Sequence, residues 1–268
     1  VKFIADTHMH TIVSGHAYSS IQEMARAAGE KGVRLIALTE HGPALPGACD
    51  PIYFLNLHAV PDEIYGVKIL KGVEANIIDY EGRIDMPEGH LKQLDFVLAG
   101  FHDLCIRPSS VEDHTRAAVH VLMNPLIDTI SHPGNPKFQV DLNEIVKTAK
   151  QYNKPIEINN HSFEVRAGSE KNCKELAVRC KEAGVRIVCG SDAHISFEIG
   201  EFGHVRRILK EVDFPEELIL NRSVERLEKY LQEKKMFSSC SKAHTDDVPD
   251  VIPGEAVAGN RRKRERCL

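Results

Sequence analysis

Fourteen histidines stand in a chain of 268 residues that has no tryptophan, and their placement decides what chemistry they can do. Imidazole is the commonest metal-ligating side chain, so an excess of it directs attention to where each one falls. Asp6-Thr7-His8-Met9-His10 closes a short β-rich run, and strand alternation would send His8 and His10 to one face together with Asp6. Two imidazoles so spaced can grip one ion. Taken alone, the same motif also fits a hydrogen-bonded polar face.

Further candidates recur at the same place in successive units, just past a β-rich run. His41 follows Ile36-Ala37-Leu38-Thr39, Glu74 follows Ile69-Leu70-Lys71-Gly72-Val73, His102 follows Val97-Leu98-Ala99-Gly100 and His132 follows Ile130-Ser131. The last run closes in Gly190-Ser191-Asp192-Ala193-His194. Six of seven runs finish in a potential ligand, whereas the sixth finishes in Asn159 and Asn160. Any single histidine here could be a capped or packed one; six strand ends together are poorly explained that way. Seven histidines with two acids exceed the three or four protein ligands of one catalytic ion, so more than one ion is implied, with zinc, manganese or iron suited to the donors. Such ions would relieve the burial cost of clustered acids and imidazoles and leave a positive pocket suited to an anionic substrate.

The elements that must position these residues alternate from the start to about residue 235. Strands are predicted over residues 2–6, 34–39, 67–73, 95–100, 126–131, 155–159 and 186–190, with amphipathic stretches between them, the pattern of βαβ units around a parallel sheet. In closed (β/α) barrels the carboxyl-end loops converge on one site, which would bring the distant candidates together. Ser20 with Glu23 forms a capping box before Ile21, Met24, Ala25 and Ala28, and Gly32 ends that helix. Asp141 with Glu144 opens a second, and Ser169 a third whose Cys173, Leu176, Ala177 and Cys180 read as core. Further helices are expected over residues 109–123, 198–211 and 223–234. Residues 75–78 and 82–86 bracket a Tyr80-Glu81-Gly82-Arg83 turn as an inserted hairpin of no evident purpose. One domain over residues 1–235 is expected, followed by a mobile tail over 236–268 rich in Ser, Asp, Pro and Gly.

Composition narrows the classes. Apolar residues make up 42% and charged residues 27%, with no apolar run near the roughly 18 residues of a membrane-spanning helix. Residues 1–4 read as a strand and not as a basic, apolar leader, and seven cysteines without a C-x-x-C pair fit reduced thiols, so a cytoplasmic location is expected. A net charge of -5 argues against a nucleic-acid-binding body; Arg261-Arg262-Lys263-Arg264 reads as a solvated charge run. A homo-oligomer is left open. His58, His90, His114, His120, His204 and His244 read as surface or packing residues, and His161 lies beside the expected pocket.

Taken together, these motifs resemble the polymerase and histidinol phosphatase family, the PHP domain, and within it the stand-alone YcdX-like phosphatases. The likeness spans residues 2–235. It rests on the first motif, on Ser14-Gly15-His16-Ala17-Tyr18, Thr39-Glu40-His41-Gly42-Pro43, Gly72-Val73-Glu74-Ala75-Asn76 and Ala99-Gly100-Phe101-His102, and on Ser131-His132-Pro133-Gly134-Asn135-Pro136, Glu157-Ile158-Asn159-Asn160 and the Asp192 motif. The resemblance implies a distorted (β/α)7 barrel of TIM-barrel type and a trinuclear centre, zinc by preference. It assigns His8, His10, Glu74 and Asp192 to a first ion, Glu74 bridging to a second with His102 and His132, and His16, His41 and His194 to a third. Asp192, His194 and Glu74 would be the catalytic set. The implied reaction is hydrolysis of a small phosphate monoester by a metal-bridging hydroxide. Arg166 and Lys137, in flanking loops, are the candidates for phosphate binding, with ordinary surface charge as the other reading. His161 departs from the small polar residue expected of close relatives, which bears on substrate choice. Three rival readings remain: a phosphodiesterase on the same site, an amidohydrolase, whose bridging group is commonly a carbamylated lysine where this chain has Glu74, and a non-catalytic metal-stabilised interaction module.

Overall fold

The computed structural model describes residues 2–240; the basic run at Arg261–Arg264, His244 and most of the expected tail lie outside the described residues. The strands are β1 (Ala5–Asp6), β2 (Leu35–Leu38), β3 (Glu63–Ile64), β4 (Val67–Asn76), β5 (Phe96–Gly100), β6 (Thr129–Ile130), β7 (Ile156–Asn159) and β8 (Ile187–Gly190). The helices are α1 (Ile21–Glu30), α2 (Ile52–Asn56), α3 (Glu88–Leu91), α4 (Val111–Met123), α5 (Leu142–Gln151), α6 (Ser162–Val165), α7 (Ser169–Ala183), α8 (Gly203–Glu211) and α9 (Val224–Cys240). Among these residues no helix is long and apolar enough to cross a membrane.

Seven strands run parallel, matching the seven expected, and curl into a distorted α/β barrel. The order β1-β2-β4-β5-β6 is one continuous sheet, while β7 and β8 pair separately. β3 is an antiparallel addition to β4 that the sequence reading missed. Its signal was the Tyr65-Gly66 turn, whose φ angles of 52° and 75° suit a two-residue hairpin. Strands buried on both faces explain the near-continuous apolar runs such as Leu35–Leu38. Leu35 and Ala37 face an inner cluster with Leu70, Phe96, Leu98 and Val188, and Leu227, Tyr230 and Leu231 of α9 join it. Ile36 and Leu38 face the outer layer beneath the helices.

The circle of strands has two weak joints. Among the described residues no backbone hydrogen bond joins β6 to β7; there the main chain of His132 donates to Glu157 Oε2 at 2.6 Å, and Lys154 Nζ donates to the carbonyls of Ile127 and Asn124 at 2.5 and 3.2 Å. Between β8 and β1 the links are a bridge from Met9 to Ala193 and Asn221, which accepts from Cys189 N at 2.6 Å and donates to Ala5 O at 3.0 Å.

Local signals acted largely as expected. Ser20 and Glu23 form the capping box of α1, Asp141 caps α5, and Cys173, Leu176, Ala177 and Cys180 are the buried stripe of α7. Three boundaries differ. β1 and β6 are only two residues long, each pairing with its neighbour at two positions, Ala5 and Asp6 with Leu35 and Ile36, and Thr129 and Ile130 with Leu98 and Ala99. α8 begins at Gly203, since Gly200 has a left-handed φ of 73° that helix cannot carry. α9 runs past the expected end at Lys234 to Cys240, because neither Gly nor Pro interrupts the chain before Pro249. The inserted hairpin is present as the Ile77 to Ile84 bridge. It delivers Asp85, which accepts from Ala44 N and Asn76 N at 2.8 Å each and so fixes the loop after His41. Gly42 is required there, since a Cβ would lie 2.4 Å from Asp85 Oδ1.

Candidate metal centre

The carboxyl ends of the parallel strands place imidazoles and acids around Glu74 of β4. Its Oε2 lies 3.0 Å from His41 Nδ1, 3.3 Å from His8 Nε2 and 3.5 Å from His10 Nε2. Its Oε1 lies 2.9 Å from His132 Nε2 and 3.4 Å from His102 Nε2, and accepts from Ser131 Oγ at 2.7 Å. Asp192 Oδ1 is 3.1 Å from His10 Nε2 and 3.5 Å from His8 Nε2. Three overlapping triples, His8/His10/Glu74, His10/His41/His194 and His41/Glu74/His102, each have ligand atoms within 4.8 Å of one another. His16 sits farther out, its ring 4.9 Å from that of His194 and 5.1 Å from that of His41. All nine residues implied as ligands therefore meet at one mouth, with both His10 and His16 beside His41 and His194.

The donor set fits cations. Nδ1 of His8 is held by Glu157 at 2.7 Å, that of His194 by the Asp192 carbonyl at 2.8 Å and that of His16 by the Ser14 carbonyl at 3.0 Å. A neutral imidazole that donates through Nδ1 turns a bare Nε2 the other way, into the cluster. His8 and His10 accordingly bring two Nε2 atoms within 3.2 Å. Glu74 Oε2, His41 Nδ1 and both ring nitrogens of His102 are buried without a hydrogen-bond partner. Buried polar atoms left so cost free energy, and lone pairs on three neighbouring residues suit a divalent ion better than any arrangement of protons.

The charges reinforce one another. Burial would raise the Glu74 carboxyl, but His8, His102 and His41 hold it well below the usual range, and His8, His10 and Arg166 do the same for Asp192. Burial pushes His8 down, yet Glu157, Glu74 and Asp192 outweigh it and hold the ring well above its ordinary value. His10 lies well below it, through burial and the neighbouring His41, while burial and Arg166 drive His132 down to about 3. Asp6 does not join this group. Its carboxylate instead accepts from the main chain of Ser191 and Gly200, and burial pushes it up to about 6.

Close quarters shape the backbone. His132 and Asp192 hold left-handed φ angles of 35° and 57°, uncommon for residues other than glycine. Gly190 must lack a side chain, because a Cβ would stand 2.4 Å from His8 Cβ and 2.5 Å from Glu157 Oε1.

The expected phosphate-binding residues differ in placement. Arg166 Nη1 reaches 3.0 Å from Ser162 Oγ and 3.5 Å from Asp192 Oδ2, at the edge of the cluster. Lys137 pairs with Asp103, the neighbour of His102, on the exposed rim. His161 stacks on His194 with ring centroids 5.6 Å apart. His114 packs between Phe101 and Phe138, whereas His58 and His120 are exposed. Two acids stand in the quoted motifs without having been given a role. Glu157 is one, and its signal was alternation: it shares the inward face of β7 with Asn159, whose Nδ2 donates to Asp192 Oδ2 at 3.1 Å. Glu40 is the other, accepting from Thr11 N and Ser14 Oγ and so shaping the loop between His10 and His16.

Comparison with known proteins bears on this arrangement. The PHP domain matches residues 6–248. A probable phosphatase of Acetivibrio thermocellus is 57% identical over 235 residues, covering 88% of this chain and 98% of that protein. A probable phosphatase of Caldanaerobacter subterraneus subsp. tengcongensis is 52% identical, covering 88% and 93%. Among solved structures, the histidinol phosphate phosphatase of Lactococcus lactis, complexed with zinc, L-histidinol and phosphate, aligns with a TM-score of 0.57 at 18% identity, covering 80% of this chain and 95% of that one. At that identity the likeness is one of fold.

Proposed function

This chain belongs to the PHP domain family and is a phosphoric ester hydrolase, and on that premise we propose that it removes phosphate from small monoesters at a trinuclear metal centre. The observation that carries the reading is the buried, unpartnered atoms of Glu74, His41 and His102 at the centre of a cluster of imidazoles and acids drawn from six strand ends. His8, His10, Glu74 and Asp192 would hold one ion, Glu74 with His102 and His132 a second, and His16, His41 and His194 a third. The presence of Glu74 in two of the three triples supports its being shared. Zinc, manganese or iron would satisfy these ligands, and zinc is the first choice. When bound, such ions supply Lewis-acid polarisation of phosphoryl oxygens and lower the pKa of water.

The remaining work falls to the chain itself. Arg166, braced by Ser162, points a guanidinium toward Asp192 at the edge of the site and is placed to receive phosphoryl oxygens as charge develops on them. Lys137 would have to leave Asp103 to do the same, so its share is smaller. Asn159 holds the Asp192 carboxylate in orientation. The Nδ1 contacts of His8, His16 and His194 keep their Nε2 atoms turned inward. The five free thiols among the described residues support a reducing, cytoplasmic setting.

Elemental analysis of protein purified without chelator, paired with a panel of phosphomonoesters and phosphodiesters, tests the reading. Bound divalent metal with turnover of monoesters is expected. Metal-replete protein that leaves every monoester intact discards it, and a preference for diesters reassigns the reaction.

A further inference from the structure

We infer that Glu157 is a positioning residue that spans the break between β6 and β7 and sets which ring nitrogen His8 presents to the centre. The inference rests on the metal-centre reading above but concerns a residue outside the ligand set. Glu157 is fully buried, and both of its oxygens are engaged. Oε1 meets His8 Nδ1 at 2.7 Å, while Oε2 accepts from His132 N at 2.6 Å and from Asn159 Nδ2 at 3.3 Å.

Each contact has a consequence that another side chain could not reproduce. An ionised carboxylate only accepts, so His8 must donate through Nδ1, and its Nε2 is left to face His10, Glu74 and Asp192. The second oxygen anchors the main chain of His132, a residue with a φ of 35°, at the junction of β6 and β7, which among the described residues no backbone hydrogen bond joins. That anchor fixes where the His132 ring meets Glu74. One carboxylate thus orients two imidazoles carried by strands on opposite sides of β7. The clearance at Gly190, where a Cβ would come within 2.5 Å of Glu157 Oε1, shows that the neighbouring strand leaves room for this carboxylate.

Glutamine is the informative replacement. It keeps the shape but has one acceptor oxygen, so it must either place an NH2 against the His132 N–H or donate to His8 Nδ1 and force the proton of that ring onto Nε2. Zinc affinity, measured by chelator competition, should fall about 10- to 100-fold in Glu157→Gln, and Glu157→Asp should recover part of the loss by restoring two acceptors. Nitrogen-15 long-range correlation spectra of the zinc-loaded wild type should show the His8 proton on Nδ1. In Glu157→Gln that signature should shift for His8 and stay put for His194, whose Nδ1 partner is a carbonyl. Zinc binding in Glu157→Gln as tight as in the wild type overturns the inference, as does a wild-type His8 protonated on Nε2. The wild-type spectrum decides the matter even if the variant does not fold. A wild type that takes up no zinc, manganese or iron is a separate failure, which removes the metal centre itself.

Discussion

The sheet from β1 through β6 and the pair β7–β8 solve one problem by different means. In the first region the backbone does the positioning: Glu74 is in register with Leu98 of β5, and His41 is bridged to Glu74 by main-chain hydrogen bonds. In the second, buried side chains carry much of the contact with the rest of the barrel, Glu157 and Lys154 on one side and, beneath the Met9–Ala193 bridge, Asn221 on the other. A ladder distributes its load over many equivalent bonds, so no single side chain is indispensable to it. A joint made by one buried polar side chain concentrates that load. Chemistry and stability should therefore separate in the ladder and go together at the joints.

The largest effect is expected in the ladder and confined to chemistry. Glu74→Gln should take phosphatase activity below detection and weaken metal uptake while the far-UV circular dichroism stays that of the wild type. Loss of the folded spectrum would mean that the ladder does not hold this position unaided.

At the β8–β1 joint, Asn221→Ala leaves the Cys189 N–H without its partner and takes one donor each from the carbonyls of Ala5 and Cys189, a loss of about 2 to 3 kcal/mol. Urea unfolding measures it. Metal uptake should fall in parallel, because His8 and Asp192 lie immediately beyond this junction and exchange a main-chain bond of 2.8 Å. An unfolding midpoint shifted with metal affinity untouched would break the proposed link between joint and site.

Lys154 provides a smaller effect with a sign. Burial lowers its amine to about 8 from 10.5, against the opposing pull of Asp128. Below about pH 8 both folded and unfolded chains carry the proton, and the folded state bears the full cost of the buried charge. As pH rises from 8 toward 10.5 the folded protein releases the proton first, the unfolded chain binds more, and stability increases, by about 2 kcal/mol. Lys154→Met should lack this increment, which the difference between the two urea midpoints across that range isolates. A wild type and variant that change alike with pH would place the titration elsewhere.

The smallest change serves as the ladder's control. Ile36→Val, in the outer face of β2, should cost about 1 kcal/mol and leave metal uptake and turnover as they were.

The same division explains what was legible in the sequence. Strand ends with a recurring histidine or acid could be read because a parallel barrel repeats its geometry in every unit, so Glu74, His102 and His132 announced themselves by position. Helix starts at Ser20 and Asp141 were legible because capping is local. The contacts of Glu157 and Asn221 were not, since their partners lie far away along the chain and neither ends a strand in the repeating pattern. The closeness of His10 to His41 was hidden for a related reason, as it depends on the loop that Glu40 gathers and not on strand periodicity. The lengths of β1 and β6 also escaped, because register with a neighbour sets them and local propensity does not.

The left-handed backbone at His132 and Asp192 has a consequence for how such a chain changes over time. Glycine or asparagine would sit there with less strain, by about 1 kcal/mol for each position relieved. A lineage released from the need for the reaction would gain folding stability by mutating two of the residues proposed to hold metal. Histidine and aspartate at these positions are thus a standing cost, and their replacement would be an early mark of a copy that has ceased to turn over substrate.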